Sequence, residues 1–373
     1  MKLYEYVLRR LALLGFVLVA LAALIFYITR GLLPPSYALT QFVTPKMTPE
    51  QRLTLAQNLG VATGSCPSYA AFAASAKGCI VPLWGQFIGW IRTVLSGNWG
   101  YTVLPGYISG TETTWSVFWI RFPYTAELAI GGTILTIIIA IPLGIVSATH
   151  ANKLPDHASR VVAISGYSIP QFWFGYLLQV IFVLYVVVGG RGLLPVGGPL
   201  PTTCAICFSN PGAVASRTGF PIIDSILSGN FPYFWDSFVG LILPTITLAL
   251  TTIGALTRIL RSSMVDALHQ DYILLARSKG LRDRVIIYRH ALRNALLPAI
   301  TIAGLILAFL LGGVVVIEYV FAFPGVGQAA VLASTSFDLN FLELYVLVTA
   351  VIIVLTNLAV DVLYAKLDPR IRY

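Results

Sequence analysis

The sequence predicts an all-α, polytopic membrane fold of six spans, and three observations carry that reading. Of 373 residues, 57% are hydrophobic and 10% charged, whereas ordinary soluble domains carry about 25% charged residues; most of this surface therefore has to face lipid. Apolar stretches of about 20 residues recur along the chain, each long enough to cross a hydrocarbon core of about 30 Å as a helix. The net charge is +9, but the basic residues sit in short blocks between the apolar runs. They read as topology signals rather than as the continuous patch of a nucleic-acid binder, and no nucleic acid is expected as a partner.

The first span is placed at Leu11 to Ile28, preceded by Lys2, Arg9 and Arg10 and followed by Arg30. A basic start and an apolar run also describe a signal peptide, but this run exceeds a typical h-region, so the segment is read as a retained span. From Gly31 to Pro123 the chain turns mixed and polar, with Pro34, Pro35, Pro45 and Pro49, and is read as a large extramembrane segment. Within it Phe87, Trp90, Ile91, Val94 and Leu95 follow helical spacing, which predicts one amphipathic helix lying on the membrane surface or on other helices.

Five further spans are placed at Thr125 to Thr149, Val161 to Val188, Val239 to Leu256, Ala295 to Ile317 and Leu344 to Tyr364, each bounded by Pro, Gly or charge. The third carries Ser165, Gly166 and Pro170, so a kink is expected there. The organisation is then residues 1–30 as tail and first span, 31–123 as outer segment, and 124–373 as a five-span core that includes a loop at 258–298.

Orientation follows from the bias of basic residues. Lys2, Arg9, Arg10, Lys153, Arg160, Lys366, Arg370, Arg372 and the block from Arg258 to Arg293 fall on one side, sixteen of the 24 basic residues. Both termini are therefore expected to be cytoplasmic, in a multi-pass plasma-membrane protein. Cys66 and Cys79 then lie in the first outer segment and Cys204 and Cys207 in the second. An oxidising exterior favours disulfides; a metal site is the alternative for CAIC, although no histidine lies in either outer segment.

Enzyme chemistry finds little support. No GxxxxGK[ST] phosphate loop occurs, so energy has to come from outside the chain. No nucleophile–base pair, metal cluster or paired catalytic carboxylates emerges, and His150, His157, His269 and His290 are scattered among loop residues. The ionisable residues in or near spans, Glu127, Glu318 and Asp361, lie close to the ends, where pairing or snorkelling suffices.

The segment RILRSSMVDALHQDYILLARSKGLRDRVIIYRHALRNALLP, Arg258 to Pro298, is more patterned than a linker. Met264, Val265, Leu268, Tyr272, Leu275 and Ala276 mark one helical face. Lys279 and Gly280 suit a helix end, and Asp283 suits the cap of a following helix. Its eight basic residues fit a face drawn to anionic headgroups. The helix, glycine turn, helix pattern fits docking into a protein groove better.

DYILLARSKG, followed by RHALRNALLP, resembles the cytoplasmic coupling segment of membrane subunits of dipeptide and oligopeptide ABC importers. YVLRRLALL, PLWGQFIGWIRTVLSGNWGYT, IPLGI, SIPQFWFG, EYVFAFPGVG and LDPRIRY extend the likeness, in order, along nearly the whole chain. The 18 positions between Gly280 and Pro298 resemble the peptide branch rather than the broader importer motif. The resemblance implies a type I ABC importer-like permease that is not itself an enzyme. Its partners would be a second, homologous but non-identical permease subunit, two ATP-binding subunits that hold ATP and Mg, and an extracellular substrate-binding protein, within membrane lipid. No cofactor is expected in this chain.

It also implies coupling residues Asp271, Tyr272, Ala276, Arg277, Lys279, Gly280 and Leu281. Ala276 and Gly280 would allow close seating on the ATPase, and Arg277 and Lys279 would make polar contacts. An external gate is implied around Glu318 and Phe321, while Tyr167, Gln171 and Trp173 offer polar and aromatic surface beside Pro170 for a passage. Members of this branch also resemble importers of oligosaccharides and nickel. The rival from another class is a membrane-anchored scaffold or receptor built around the outer segment.

Overall fold

The computed structural model describes residues 3–32, 39, 43, 46–58, 60–104, 106, 112–187, 218–312 and 314–367, with the backbone alone for 3–7, 167, 183–187 and 364–367. The described residues are mostly helical and separate into two compact units, one drawn from residues 8–122 and 329–351 and the other from residues 3–7, 123–328 and 352–367. Among the described residues, five helices are long and apolar enough to cross a membrane: Leu8–Gly31, Thr114–Thr149, Phe231–Leu268, Asp283–Leu311 and Leu339–Leu363.

In the smaller unit, α1 (Leu3–Phe26) runs into a π turn, Tyr27–Gly31. Three helices follow in the outer segment: α2 (Pro49–Asn58), α3 (Tyr69–Ala73) and α4 (Leu83–Leu95). Only α4 was foreseen, because it alone carries a strong apolar stripe. Trp90 on that stripe is buried with Phe26 and Leu347, so α4 lies on helices. The other two helices close a small core of Leu39, Ala56, Val61 and Phe72, which a disulfide between Cys66 and Cys79 staples. Cys204 and Cys207 lie outside the described residues. Two buried carboxylates complete the unit. Glu343 accepts from Trp90 Nε1 at 2.7 Å and Thr29 Oγ1 at 2.8 Å; Asp338 accepts from Thr102 Oγ1 at 2.6 Å and from the Val103 N–H at 2.8 Å.

The larger unit holds most of the second long helix, the helices that follow it as far as Gln328, and the end of the last one. α5 (Thr114–Thr149) begins before Pro123, which the sequence reading took as a boundary. Proline inside a membrane helix removes one backbone bond without ending the helix, since neighbours re-satisfy the freed group. The third expected span is two helices, α6 (Leu154–Ser168) and α7 (Gln171–Val187), separated at Ile169–Pro170 as the kink reading anticipates. Beyond α8 (Pro221–Leu227), α9 (Phe231–Leu268) crosses α6 with backbones in near contact: a Cβ on Gly254 would stand 2.5 Å from the Ala163 carbonyl oxygen. Small residues permit such approaches where lipid gives helices no hydrophobic drive to associate.

After α10 (Asp271–Ser278), a helical turn at Asp283–Val285 and a π turn at Ile286–Ala291 lead into α11 (Leu292–Leu311). The expected fifth span, Ala295 to Ile317, therefore stops six residues early, at a C-cap on Gly312. α12 (Val315–Val320), α13 (Val326–Thr335) and α14 (Leu339–Leu367) complete the chain.

Candidate coupling surface

α9 ends at Leu268, and Gln270 then adopts extended backbone, with ψ of 151°. The chain turns a corner there and starts the two-turn helix α10. Asp271 in the first turn and Arg277 in the last complement the helix dipole. The C-terminus closes in a Schellman motif: the Gly280 N–H donates to the Arg277 carbonyl at 2.9 Å and the Leu281 N–H to the Ala276 carbonyl at 3.3 Å. Gly280 sits at φ of +73°, and open space surrounds the position of its missing Cβ. Its requirement is thus conformational, about 1–2 kcal/mol for a side chain in the left-handed region.

One side of α10 faces inward. Ile273 and Ala276 are buried with Met264, Ala267, Ile286 and Ala291 in the largest core cluster among the described residues. The other side stands bare, with Leu274 67% and Leu275 57% exposed, and Tyr272, Leu281 and Tyr288 exposed beside them. Exposed apolar side chains grouped in this way are common at interaction sites. Arg277 and Lys279 are exposed at the same helix end. The Tyr272 hydroxyl accepts from Asn294 Nδ2 at 2.9 Å, which ties the rim of this surface to α11.

Three expectations are corrected here. Ala276, expected to seat the partner, is 6% exposed and seats α10 on its own chain, because helix periodicity turns it the same way as Ile273. The single face running from Met264 to Ala276 is two faces on two helices, since the corner at Gln270 resets the register. Asp283 occupies the first helical position and makes no capping bond; Arg282 is the N-cap residue.

The gate residues divide. Glu318 is not at the end of a span but on the short helix α12, and it is fully buried. Its carboxylate accepts from Thr125 Oγ1 at 2.7 Å and from the Gln328 N–H at 2.9 Å, while Thr125 Oγ1 accepts from the Val326 N–H at 2.9 Å. Phe321 and Phe323 are buried too. The turn after α12 is therefore locked from within, and neither Glu318 nor Phe321 presents a surface in this conformation. Gln171 Nε2 donates to Thr251 Oγ1 at 2.6 Å, which fixes the start of α7 on α9. Trp173 is 51% exposed. The side chain of Tyr167 lies outside the described residues.

One polar centre escaped the sequence reading. Asp156, on the first turn of α6 ahead of the third span, is fully buried. It accepts from Arg261 Nε at 2.8 Å and Nη2 at 2.9 Å, from Arg160 Nη2 at 2.7 Å, from the Asn152 N–H at 2.8 Å, and from Ser147 Oγ at 2.5 Å. It joins α5, α6 and α9. The Arg261 hydrogen bonds, helped by Arg160 and Ser147, outweigh burial and hold its carboxyl well below the usual carboxylate range. The Asp156/Arg160 spacing of four residues was the available signal.

Five long apolar helices among the described residues, with a short helix that leaves one apolar side bare between two of them, describe a multi-pass membrane protein. The comparisons give the family. Residues 140–373 match the model for the binding-protein-dependent transport system inner membrane component, and the chain belongs to that family. It is similar to the probable D,D-dipeptide transport system permease protein DdpB of Escherichia coli K12, with 40% identity over 290 residues, covering 78% of this chain and 80% of the relative. It is also similar to the dipeptide permease DppB of the same strain, at 35% over 292 residues (78% and 82%), and to the oligopeptide permease AppB of Bacillus subtilis 168, at 35% over 292 residues (78% and 81%). The protein is thus a multi-pass membrane component of a transport system.

Proposed function

We propose that this chain is a permease subunit of an ATP-binding-cassette importer of di- or oligopeptides and forms half of the translocation pathway. Six spans, with both termini cytoplasmic, are completed by a second, homologous permease subunit, two ATP-binding subunits and an extracellular binding protein. The peptide assignment is supported by the relatives, which are permeases for dipeptides and oligopeptides.

The coupling role rests on one observation, the apolar face of α10. Leu274 and Leu275 stand exposed on a short helix, with Leu281 exposed in the turn that closes its C-terminus, and the helix is anchored to its own chain through Ile273 and Ala276. A stiff element carries displacement between proteins where a floppy loop dissipates it. ATP-driven movement of the partner is delivered through this knob to α9 and α11. Arg277 and Lys279 supply polar contacts at its rim, and Gly280 holds the turn.

The test is uptake of a labelled dipeptide by proteoliposomes holding the assembled transporter. Leu275→Glu is expected to abolish uptake and substrate-stimulated ATP hydrolysis while the chain inserts and folds normally. Undiminished uptake would contradict the coupling role. Uptake of an oligosaccharide or nickel in place of peptide would contradict the substrate class alone.

A further inference from the structure

We propose that the cavity between α5, α6 and α9, beside Asp156, is a binding site for the phosphate headgroup of an anionic membrane lipid. The cavity encloses about 350 Å³, and Ser159, Arg160, Ile164, Thr257, Arg258 and Arg261 are among its lining residues. That volume lies in the range of small-ligand sites. Three arginines line it against one nearby carboxylate. Asp156 engages Arg160 and Arg261, whereas Arg258 is exposed and has no ion-pair partner among the described residues. The site therefore keeps a surplus of positive charge, and its guanidinium forks match phosphate oxygens.

The second observation is independent of charge. Thr257 is 3% exposed, lines the cavity, and its Oγ1 has no hydrogen-bond partner among the described residues. Buried hydroxyls are nearly always satisfied, and a phosphate oxygen would accept the proton of this one. A lipid is favoured over a free solute by what adjoins the cavity. Leu154 and Val161, two turns apart on one side of α6, are exposed, and the lining residue Ile164 is exposed as well, which offers apolar surface to acyl chains. Basic pockets between helices at a membrane face are a recurrent form of headgroup site. A lipid here would brace the ends of the three helices that Asp156 joins, close to where α9 leads into α10. The inference does not depend on the peptide substrate.

Native mass spectrometry of the assembled transporter, released from nanodiscs of phosphatidylcholine with increasing cardiolipin, reads out retained anionic lipid. Wild type is expected to retain it selectively. Arg258→Gln should weaken retention about fivefold, the worth of roughly one basic residue at a membrane surface. Thr257→Val should weaken it less, and Arg284→Gln, whose residue is exposed outside the cavity, not at all. Equal losses from Arg258→Gln and Arg284→Gln would overturn the site in favour of diffuse surface charge. Absence of any anionic preference would overturn it outright. Displacement of the lipid by millimolar inorganic phosphate, with the same dependence on Arg258, would overturn the lipid source and assign the cavity to a free phosphate-bearing solute.

Discussion

Two joints between long helices, Asp271–Leu281 and Glu318–Gln328, are finished in opposite ways. In the second, the one carboxylate is buried and accepts from Thr125 and the Gln328 N–H, and Phe321 and Phe323 are covered by their own chain. In the first, only Ile273 and Ala276 turn inward, and the leucines on the opposite side face outward. A joint that satisfies itself reports on stability. A joint that leaves apolar surface bare reports on a partner. Both segments carried the family resemblance, so likeness of sequence alone did not distinguish them.

Substitutions should separate the two kinds, with stability falling most where the joint is internally complete. The largest effect is expected at the Asp156 centre, which is built on the same plan as the Glu318 turn. Asp156→Asn strands Arg261 and should cost about 2–4 kcal/mol, less than a fully buried pair because both arginines are partly exposed. Its folded pKa is lowered. The stabilisation is therefore complete above the unfolded value of about 4 and fades as pH falls below it. In thermal unfolding, the gap between wild type and Asp156→Asn should stay flat from about pH 5 to 8 and narrow on acidification below about 4. Glu318→Ala, which removes the carboxylate that accepts from the Thr125 hydroxyl and the Gln328 N–H, should cost about 2 kcal/mol, two donors at the low end of about 1–3 kcal/mol each.

Smaller stability effects belong to the outward joint, where transport should suffer instead. Gly280→Ala is expected to cost about 1–2 kcal/mol locally, through φ alone, and to uncouple ATP hydrolysis from uptake in proteoliposomes. The smallest stability change is expected for Leu275→Glu, within about 0.5 kcal/mol as for an ordinary surface position, although uptake is lost. If Leu275→Glu instead unfolds the chain, the contrast between the joints fails.

The parts legible in the sequence were those with a long or strong local signal. Apolar runs of span length gave the five long helices, Pro170 gave the break between α6 and α7, and the stripe through Trp90 gave α4. Boundaries shifted where a single residue was asked to decide. Pro123 sits inside α5, because a membrane helix tolerates proline. Gly312 ends α11 before Glu318, because a C-cap can fall within an apolar run. α2 and α3 lacked periodicity, and their small core depends on the Cys66–Cys79 bridge, whose pairing spacing alone left open.

In the candidate site, the glycine turn was legible, since Gly280 at φ of +73° is where a helix end calls for it. Which way Ala276 faced was not. That depended on the corner at Gln270, a backbone event that hydrophobic spacing across 264–276 does not record. The Asp156 centre was half legible: Arg160 lies one helical turn away, but Arg261 arrives from α9, and no local rule reaches across 105 positions.

The central claim is that the bare side of α10 docks on a nucleotide-hydrolysing subunit inside the cell. The most direct test is a cysteine placed by Leu275→Cys, in intact cells and in inside-out vesicles of the assembled transporter. The account expects a crosslink from position 275 to the ATP-binding subunit, altered by nucleotide, and protection from membrane-impermeant reagents added to intact cells. Labelling of position 275 from the outside, or a failure to crosslink to that subunit in a transporter that still imports, would contradict it.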